Sequence, residues 1–158
     1  MTDGKSDRQP LVILLADDDA DDCEMLRRAL EKSAVHCDLH TVGDGEELLD
    51  YLHHRGSHAP ASRSPRPGVI LVDLNMPKKD GHEALTEIKA DPRLRGIPVL
   101  VMSTSKEQED ILHTYDLGGS AFITKPVTGA KLTEVMNIIG QYWGEVVQLP
   151  DGVSEVSS

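Results

Sequence analysis

Four short apolar runs, each followed at once by charged or hydroxyl-bearing residues, limit how this chain can fold more than any other feature. The runs are 11–16, 69–72, 97–102 and 121–124. Continuous apolar runs of this length are typical of buried parallel strands. Parallel strands end at the same edge of an open α/β sheet, where ligands bind. We therefore expect the residues that follow the runs to converge on one site: Asp17, Asp18, Asp73, Ser103 and Lys125.

Amphipathic helical patterns alternate with these strands. They predict helices over 21–33, after Asp44, over 83–90, from about 108, and over a last stripe that reaches Trp143; a short alternating segment at 38–42 predicts a further strand. Five βα repeats predict a doubly wound parallel five-stranded sheet with helices on both faces and right-handed crossovers.

Local signals predict where three of the helices begin. Asp44 with Glu47, and Ser105 with Gln108, have the spacing of capping boxes. Asp80-Gly81 has the composition of a tight turn that closes the loop before the third helix.

The chain length suits one domain with a real core. We expect a loose arm over residues 1–10, a single domain over 11–143 and an acidic, Ser-rich tail over 144–158. The segment 55–68 is rich in Pro and Ser, which leaves little to bury, and it predicts a flexible insertion at the edge opposite the site.

Charge and composition exclude several classes of function. The formal net charge is −11, which argues against a nucleic-acid partner because phosphates repel an acidic surface. No apolar run approaches the length of a membrane span, and the first ten residues lack a signal-peptide core. The only two cysteines, Cys23 and Cys37, have no zinc-like spacing and are expected to be small buried residues, which fits a reducing cytoplasm.

The expected carboxylate cluster requires a counter-charge. Two like charges 4 Å apart repel by roughly 4 kcal/mol at an effective dielectric near 20. An oxygen-only cluster with access to water suits Mg²⁺. The sequence leaves open which acids of 17–19 enter the site; we take Asp17 and Asp18, which directly follow the strand. The other acids, Asp19, Asp21 and Asp22, are expected to form a solvated acidic turn at a helix start.

The remaining site residues suggest phosphoryl transfer. Asp73 follows the central strand and is the best candidate nucleophile, because carboxylates form aspartyl-phosphate intermediates. Lys125 precedes Pro126, which fixes the direction of the chain, so its ammonium could hold a phosphoryl oxygen. The Ser103 hydroxyl could donate to another phosphoryl oxygen.

Together these residues resemble the receiver domain of two-component response regulators over roughly 10–143. The matching positions are the acidic pair Asp17 and Asp18, the phospho-acceptor Asp73, Ser103 in place of the commoner Thr, and Lys125 in a Lys-Pro pair. The resemblance implies a flavodoxin-like (βα)5 fold with strand order 2-1-3-4-5. It also implies that a sensor histidine kinase donates a phosphoryl group to Asp73.

The resemblance further implies how the site is used. Mg²⁺ would be bound by the side chains of Asp18 and Asp73, by the backbone carbonyl of Asn75 and, largely through water, by Asp17. Phosphorylation would draw the Ser103 hydroxyl toward the phosphoryl group, and Phe122 would then turn inward as the switch aromatic. Chemistry would be limited to the protein's own phosphorylation and dephosphorylation, so the chain is expected to be a signalling protein rather than an enzyme.

Within that family, the chain resembles the small stand-alone regulators that partner phytochromes. The stretches DLNMPKKDG, IPVLVMSTS and YDLGG, the insertion before Val69 and the final YW carry this resemblance. It implies a bacterial phytochrome as candidate kinase, output by protein contact or through a phosphorelay, and a homodimer formed by the last helices and strand. Residues that could contribute to that dimer are Tyr115, Phe122, Tyr142 and Trp143.

Two alternatives remain at this stage. Asp17-x-Asp19 mimics the first motif of haloacid-dehalogenase-like phosphohydrolases, although Asp21 then stands where Thr or Val is expected and Asp73 has no role. The other alternative is a pseudo-receiver that binds partners without phosphorylation.

Overall fold

Strands and helices alternate along the whole of the computed structural model, which describes residues 10–60, 63–125 and 128–142. The strands are β1 (Leu11–Ala16), β2 (Cys37–Val42), β3 (Val69–Asp73), β4 (Val99–Ser103) and β5 (Ala121–Thr124). The helices are α1 (Ala20–Lys32), α2 (Gly45–His53), α3 (Gly81–Ala90), α4 (Gln108–Asp116) and α5 (Gly129–Gln141), with a short 3₁₀ turn at Gly56–His58.

All five strands are parallel and are arranged in the order β2-β1-β3-β4-β5. This confirms the predicted flavodoxin-like doubly wound sheet. The central strands β3 and β4 are buried along their whole length, as their unbroken apolar sequences predict.

Two apolar layers cover the two faces of the sheet. One packs α2 and α3 against the sheet through residues such as Leu48, Leu85 and Ile88. The other packs α1 and α5 against the sheet through Leu26, Leu132 and Met136. Cys23 and Cys37 contact this second layer and are partly buried. Burial of the apolar stripes of α1, α2, α3 and α5 holds the two layers in place and leaves the carboxyl ends of the strands free for polar side chains.

The segment 55–68 is more firmly held than its composition predicts. The Tyr51 hydroxyl donates to the Pro65 carbonyl at 2.8 Å, and the His58 ring contacts both Glu47 and the Ser64 hydroxyl, at 3.0 and 3.2 Å. Ser64 is only 1 % exposed. The expectation of a loop with little to bury was wrong for these residues, because polar groups of α2 and the loop satisfy one another, which composition does not reveal.

The predicted helix starts are partly corrected. Asp44 caps α2 by accepting from Glu47 N, but the Glu47 carboxylate accepts from Gly43 N instead of closing the box on Asp44. Ser105 does not cap α4: its hydroxyl donates to the Asp110 carboxylate at 2.6 Å, and the N-cap position belongs to Glu107. These hydroxyl and carboxylate groups reach neighbours in the loop that spacing alone does not specify.

Asp80-Gly81 is the start of α3 rather than a separate turn. Asp80 and Glu83 form a capping box with both reciprocal bonds. A Cβ at Gly81 would lie 2.8 Å from the Asp73 carbonyl oxygen, so only glycine lets α3 begin this close to the end of β3.

The predicted arm and tail lie largely outside the described residues, as do Pro126 and Trp143. Among the helices that are described, none combines the length and apolar character needed to cross a bilayer.

Candidate phosphoryl-acceptor site

The register of the sheet places two carboxylates side by side. Ala16 pairs with Val72 across β1 and β3, so the next residues, Asp17 and Asp73, leave the two strands at the same level. Neighbouring strands lie about 4.8 Å apart, which sets the approximate spacing of the two side chains. Both residues are nearly buried, with 3 % of Asp17 and 8 % of Asp73 exposed.

Asp18 completes a cluster of three acids. Asp17, Asp18 and Asp73 each offer a carboxylate oxygen, and these oxygens all lie within 4.8 Å of one another. Asp18 is exposed, so one side of the cluster faces solvent. Asp19 has a different role, since its carboxylate caps α1 by accepting from the backbone N–H groups of Asp21 and Asp22. Of the three acids at 17–19, the structure therefore places Asp17 and Asp18 in the cluster and Asp19 at the start of α1.

Lys125 lies against this cluster. Its Nζ donates to Asp17 Oδ2 at 2.9 Å and lies 3.7 Å from Asp73 Oδ1. The backbone N–H of Lys125 donates to the Ser103 carbonyl at 2.7 Å, which extends the β4–β5 pairing to the position of the lysine. Burial disfavours the charged ammonium, yet hydrogen bonds to Asp22 and Asp17 outweigh that penalty and raise the pKa of Lys125 above its usual range. The ammonium is therefore a permanent positive charge in the site.

A second partner of Lys125 is a residue that the sequence analysis misplaced. Asp22 was expected in a solvated acidic turn, but its Oδ2 accepts from Lys125 Nζ at 2.7 Å. Asp22 lies in the first turn of α1, only four residues after Asp18, and this short spacing keeps it near the end of β1. That spacing was the available signal; the contact itself depends on how α1 and β5 pack.

Asp73 has the most perturbed carboxyl group of the site. Burial raises the pKa of Asp73 to about 6; the attraction of Lys125 opposes this shift, whereas the negative charge of Asp17 adds to it. A backbone N–H from Asn75 reaches Asp73 Oδ1 only at 3.4 Å, and therefore stabilises the carboxylate weakly. At pH 7 about ten Asp73 carboxyl groups are ionised for each one that is protonated. Its charge is destabilised in this site, which favours capture of a cation or an electrophile.

The other predicted residues surround the cluster at different depths. Ser103 is fully buried, and its hydroxyl accepts from Ser105 N at 3.0 Å. The lining of the cleft includes Thr104 and Asn75 but not Ser103. Phe122 pairs with Val101 across β4 and β5 and packs, half-buried, against the core. The structure therefore brings Asp17, Asp18, Asp73 and Lys125 together and leaves the Ser103 hydroxyl engaged with its own loop.

An open cleft of about 550 Å³ gives access to the acids and the lysine. Carboxylates that can hold a cation, a nucleophilic carboxylate beside them and a fixed ammonium opposite are the groups that phosphoryl transfer requires. Comparison with known proteins assigns the same class: the response regulator receiver domain family matches residues 13–137. The chain belongs to this family.

Comparison with individual relatives shows which members of this family the chain is similar to. Response regulator Rcp1 of Synechocystis is 38 % identical over 141 residues, which cover 89 % of this chain and 94 % of that protein. The crystal structure of the phosphorylated cyanobacterial phytochrome response regulator RcpA shares 41 % identity, covers 90 % of this chain and 100 % of that one, and superposes with a TM-score of 0.81. The Mn²⁺-bound form of Rcp1 shares 37 % identity over 90 % of this chain and 100 % of that one, with a TM-score of 0.78. The chain is thus a receiver domain homologous to the cyanobacterial phytochrome response regulators.

Proposed function

We propose that this receiver domain accepts a phosphoryl group on Asp73 from the phosphohistidine of a sensor kinase. The observation that carries the proposal is the combination of three acids with oxygens within 4.8 Å and a lysine 3.7 Å from Asp73 Oδ1. The acids can gather a divalent cation, and the lysine can stabilise the negative charge of the transferred group.

The donor set suits Mg²⁺. Hard divalent cations prefer oxygen ligands, and Mg²⁺ uses few carboxylates and keeps several waters. The 4.8 Å spread of the three oxygens is close to the roughly 4.2 Å that separates opposite ligands of one Mg²⁺. Asp18 and Asp73 would be direct ligands. Both oxygens of Asp17 already accept hydrogen bonds, from Asp19 N and Lys125, which favours a water-mediated role. The Asn75 carbonyl is the further candidate ligand.

The transfer step is a substitution at phosphorus. A carboxylate oxygen of Asp73 forms the new O–P bond while the P–N bond to the donor imidazole breaks. The electron pair of that bond returns to the imidazole nitrogen, and the ring leaves neutral because its other nitrogen carries a proton. A bound divalent cation would neutralise charge on the phosphoryl oxygens. Lys125 holds one of these oxygens, and burial around Asp73 limits competing water.

Ser103 and Phe122 form the proposed switch. The Ser103 hydroxyl accepts from Ser105 N and keeps its own proton to donate, but Ser103 does not line the cleft, so we expect the β4–α4 loop to move when this hydroxyl approaches a phosphoryl oxygen. Phe122 is only half-buried on the neighbouring strand, and we expect it to turn inward when that loop shifts. The product of the reaction is the phosphorylated protein itself, so we assign a signalling rather than an enzymatic role.

The proposed partners follow from the relatives and from the surface. The cyanobacterial phytochrome response regulator RcpA is 41 % identical to this chain, which supports a bacterial phytochrome as the kinase. Output by protein contact or phosphorelay, without nucleic acid or membrane, agrees with the net charge of −11. We place the protein in the cytoplasm, where such kinases phosphorylate their partners, and keep 11–143 as the receiver unit between an arm and a tail.

A homodimer would use the surface around edge strand β5. Large apolar side chains are exposed on the two helices that flank it: Leu112 and Tyr115 on α4 are 54 % and 49 % exposed, and Ile138 on α5 is 62 % exposed. Tyr142, which caps α5, is 51 % exposed. Among the described residues, four of the five exposed large apolar side chains are therefore on α4 or at α5, and the fifth is Met25 on α1. Exposed apolar side chains of this kind are typical of an interface when they form one patch.

Binding of beryllofluoride tests the proposed function directly. This probe imitates a phosphoryl group on a carboxylate, and we expect it to bind only when Mg²⁺ is present. Asp73→Asn should abolish binding, and Asp73→Asn should also remain unlabelled by acetyl phosphate while it keeps a native circular dichroism spectrum. Stable labelling of Asp73→Asn would show that the acceptor is another residue, and wild type that ignores the probe would point to the pseudo-receiver.

The phosphohydrolase alternative is not supported. It requires Asp17 and Asp19 as a catalytic pair, but Asp19 is occupied as the cap of α1. It also leaves Asp73 without a role, although this carboxylate lies in the acidic cluster. Membership of the receiver family agrees with the geometry on this point.

A further inference from the structure

Among the residues that the structure describes, Asp22 is the one acid of the cleft that contacts the lysine but does not belong to the three-acid cluster. We propose that Asp22 is a positioning residue that holds Lys125 on the α1 side of the cleft and competes with the phosphoryl group for its ammonium. This inference rests on the proposed phosphoryl acceptance by Asp73. It identifies a residue outside the three-acid cluster that affects how readily Asp73 is phosphorylated.

The contacts of the ammonium carry the argument. A lysine has three N–H donors. Two of them serve Asp22 at 2.7 Å and Asp17 at 2.9 Å, whereas Asp73 Oδ1 lies at 3.7 Å, beyond hydrogen-bond length. The shortest of the three contacts therefore draws Lys125 away from the acceptor and toward α1.

Of the two hydrogen-bonded partners, Asp22 is the one that can release the lysine. The Asp17 side chain is fully buried and also accepts from Asp19 N, so it cannot move without exposing an unpaired donor. The Asp22 side chain is 34 % exposed and can turn into water at small cost. A phosphoryl group on Asp73 adds negative charge on the far side of Lys125. The ammonium then divides its interaction between that group and Asp22, which weakens its hold on the phosphoryl oxygen.

The consequence is an expected gain when Asp22 loses its charge. In Asp22→Asn the lysine is released toward Asp73, and we expect beryllofluoride to bind about two- to fivefold more tightly at saturating Mg²⁺, the range typical of one partly exposed ion pair. Labelling by acetyl phosphate should become faster in the same variant. Asp21→Asn is the matched control, because Asp21 is an exposed acid of the same cleft and the same helix and has no contact with Lys125 among the described residues.

The control separates a specific contact from the general field of the acidic cleft. Both variants lose one negative charge, so both should weaken Mg²⁺ binding slightly and to a similar extent. Only Asp22→Asn should strengthen beryllofluoride binding. A merely structural role for Asp22 would lower both affinities together and would not produce this split.

The experiment is a titration of each protein with Mg²⁺ alone, followed by ¹⁹F NMR titration of beryllofluoride at saturating Mg²⁺. Asp22→Ser, which also suits the first turn of a helix, replaces Asp22→Asn if the latter melts at a lower temperature than wild type. Equal beryllofluoride affinities in the Asp22 and Asp21 variants, or weaker binding by the Asp22 variant, overturn the role of Asp22. Absence of binding by the wild type is a different result, which overturns the proposed function itself.

Discussion

Removing the charge of Asp73 should stabilise the metal-free protein even though it destroys the proposed acceptor. Burial raises the pKa of Asp73 to about 6 from its ordinary value of 3.8, so the folded protein holds the proton of this carboxyl group more tightly than the unfolded chain does. The stability that this proton supplies is present at low pH and is lost as the pH rises through 6. Above that pH the ionised carboxylate opposes folding, and Asp73→Asn removes the opposition.

The size of the effect follows from the difference between the two pKa values. At 1.36 kcal/mol per pH unit it corresponds to about 3 kcal/mol at pH 7.5. The Asp73 side chain is 11 % exposed, and solvent around it lowers the expected gain to about 1–3 kcal/mol. A gain of 2 kcal/mol would raise the melting temperature by about 4–8 °C for a domain of this size. At pH 5 the linkage predicts about half the gain found at pH 7.5.

Urea denaturation of wild type and Asp73→Asn in EDTA, at pH 7.5 and pH 5, measures this difference. Glu31→Gln is the control, since Glu31 is an exposed acid near the end of α1, away from the site; its effect should be within about 0.5 kcal/mol at either pH. Saturating Mg²⁺ should shrink the advantage of Asp73→Asn, because the cation stabilises the wild-type carboxylates. If Asp73→Asn is no more stable than wild type in EDTA at pH 7.5, or if its gain does not depend on pH, the electrostatic reasoning is wrong.

Three further predictions concern other parts of the molecule. Lys125→Ala should bind Mg²⁺ at least as tightly as wild type in calorimetry, because a competing cation is gone, but should lose tenfold or more in beryllofluoride affinity; full retention of that affinity would contradict the role of the lysine. Burial, with added repulsion from nearby carboxylates, raises the pKa of the Cys23 thiol to about 11. In a Cys37→Ser variant, iodoacetamide should therefore alkylate Cys23 at pH 8 about 100-fold more slowly than it alkylates a thiol of pKa 9.0. Addition of Mg²⁺ should speed this reaction, because the cation offsets the negative charge of the carboxylates. An unchanged rate on adding Mg²⁺ would argue against a cation beside Asp17. Ile138→Glu should leave the melting temperature nearly unchanged, because Ile138 is 62 % exposed, but should lower the mass measured by light scattering for the phosphorylated protein; equal masses would remove α5 from the interface.

Much of the architecture could be predicted from local patterns. The runs at 11–16, 69–72 and 121–124 became strands, and the repeated βα order allowed few topologies. The observed strand order agrees with the order that the family resemblance implied. Patterns of this kind succeed because burial of a strand or a helix face depends mainly on the residue types within that element.

Local polar contacts were predicted less well. Ser105 had the spacing of a cap, yet its hydroxyl reaches Asp110, and the Glu47 carboxylate bonds Gly43 instead of Asp44. The loop at 55–68 is held by Tyr51 and His58, although its composition predicts little order. Such groups have several partners within reach, and the choice among them is made by small differences in hydrogen-bond geometry.

The amino-acid sequence by itself determined which residues end the strands, and hence that Asp17, Asp73 and Lys125 would meet at one edge of a parallel sheet. That conclusion needs only the chain direction of the strands, which repeated βα units specify. Only the tertiary structure decided that Asp19 caps a helix, that Asp22 reaches Lys125 and that the Ser103 hydroxyl is turned toward its own loop. The Asp22 contact depends on how α1 packs against α5 and the sheet, because a shift of about 1 Å between packed elements is enough to form or break a hydrogen bond between charged side chains. The other two depend on which of several nearby backbone groups each polar side chain reaches.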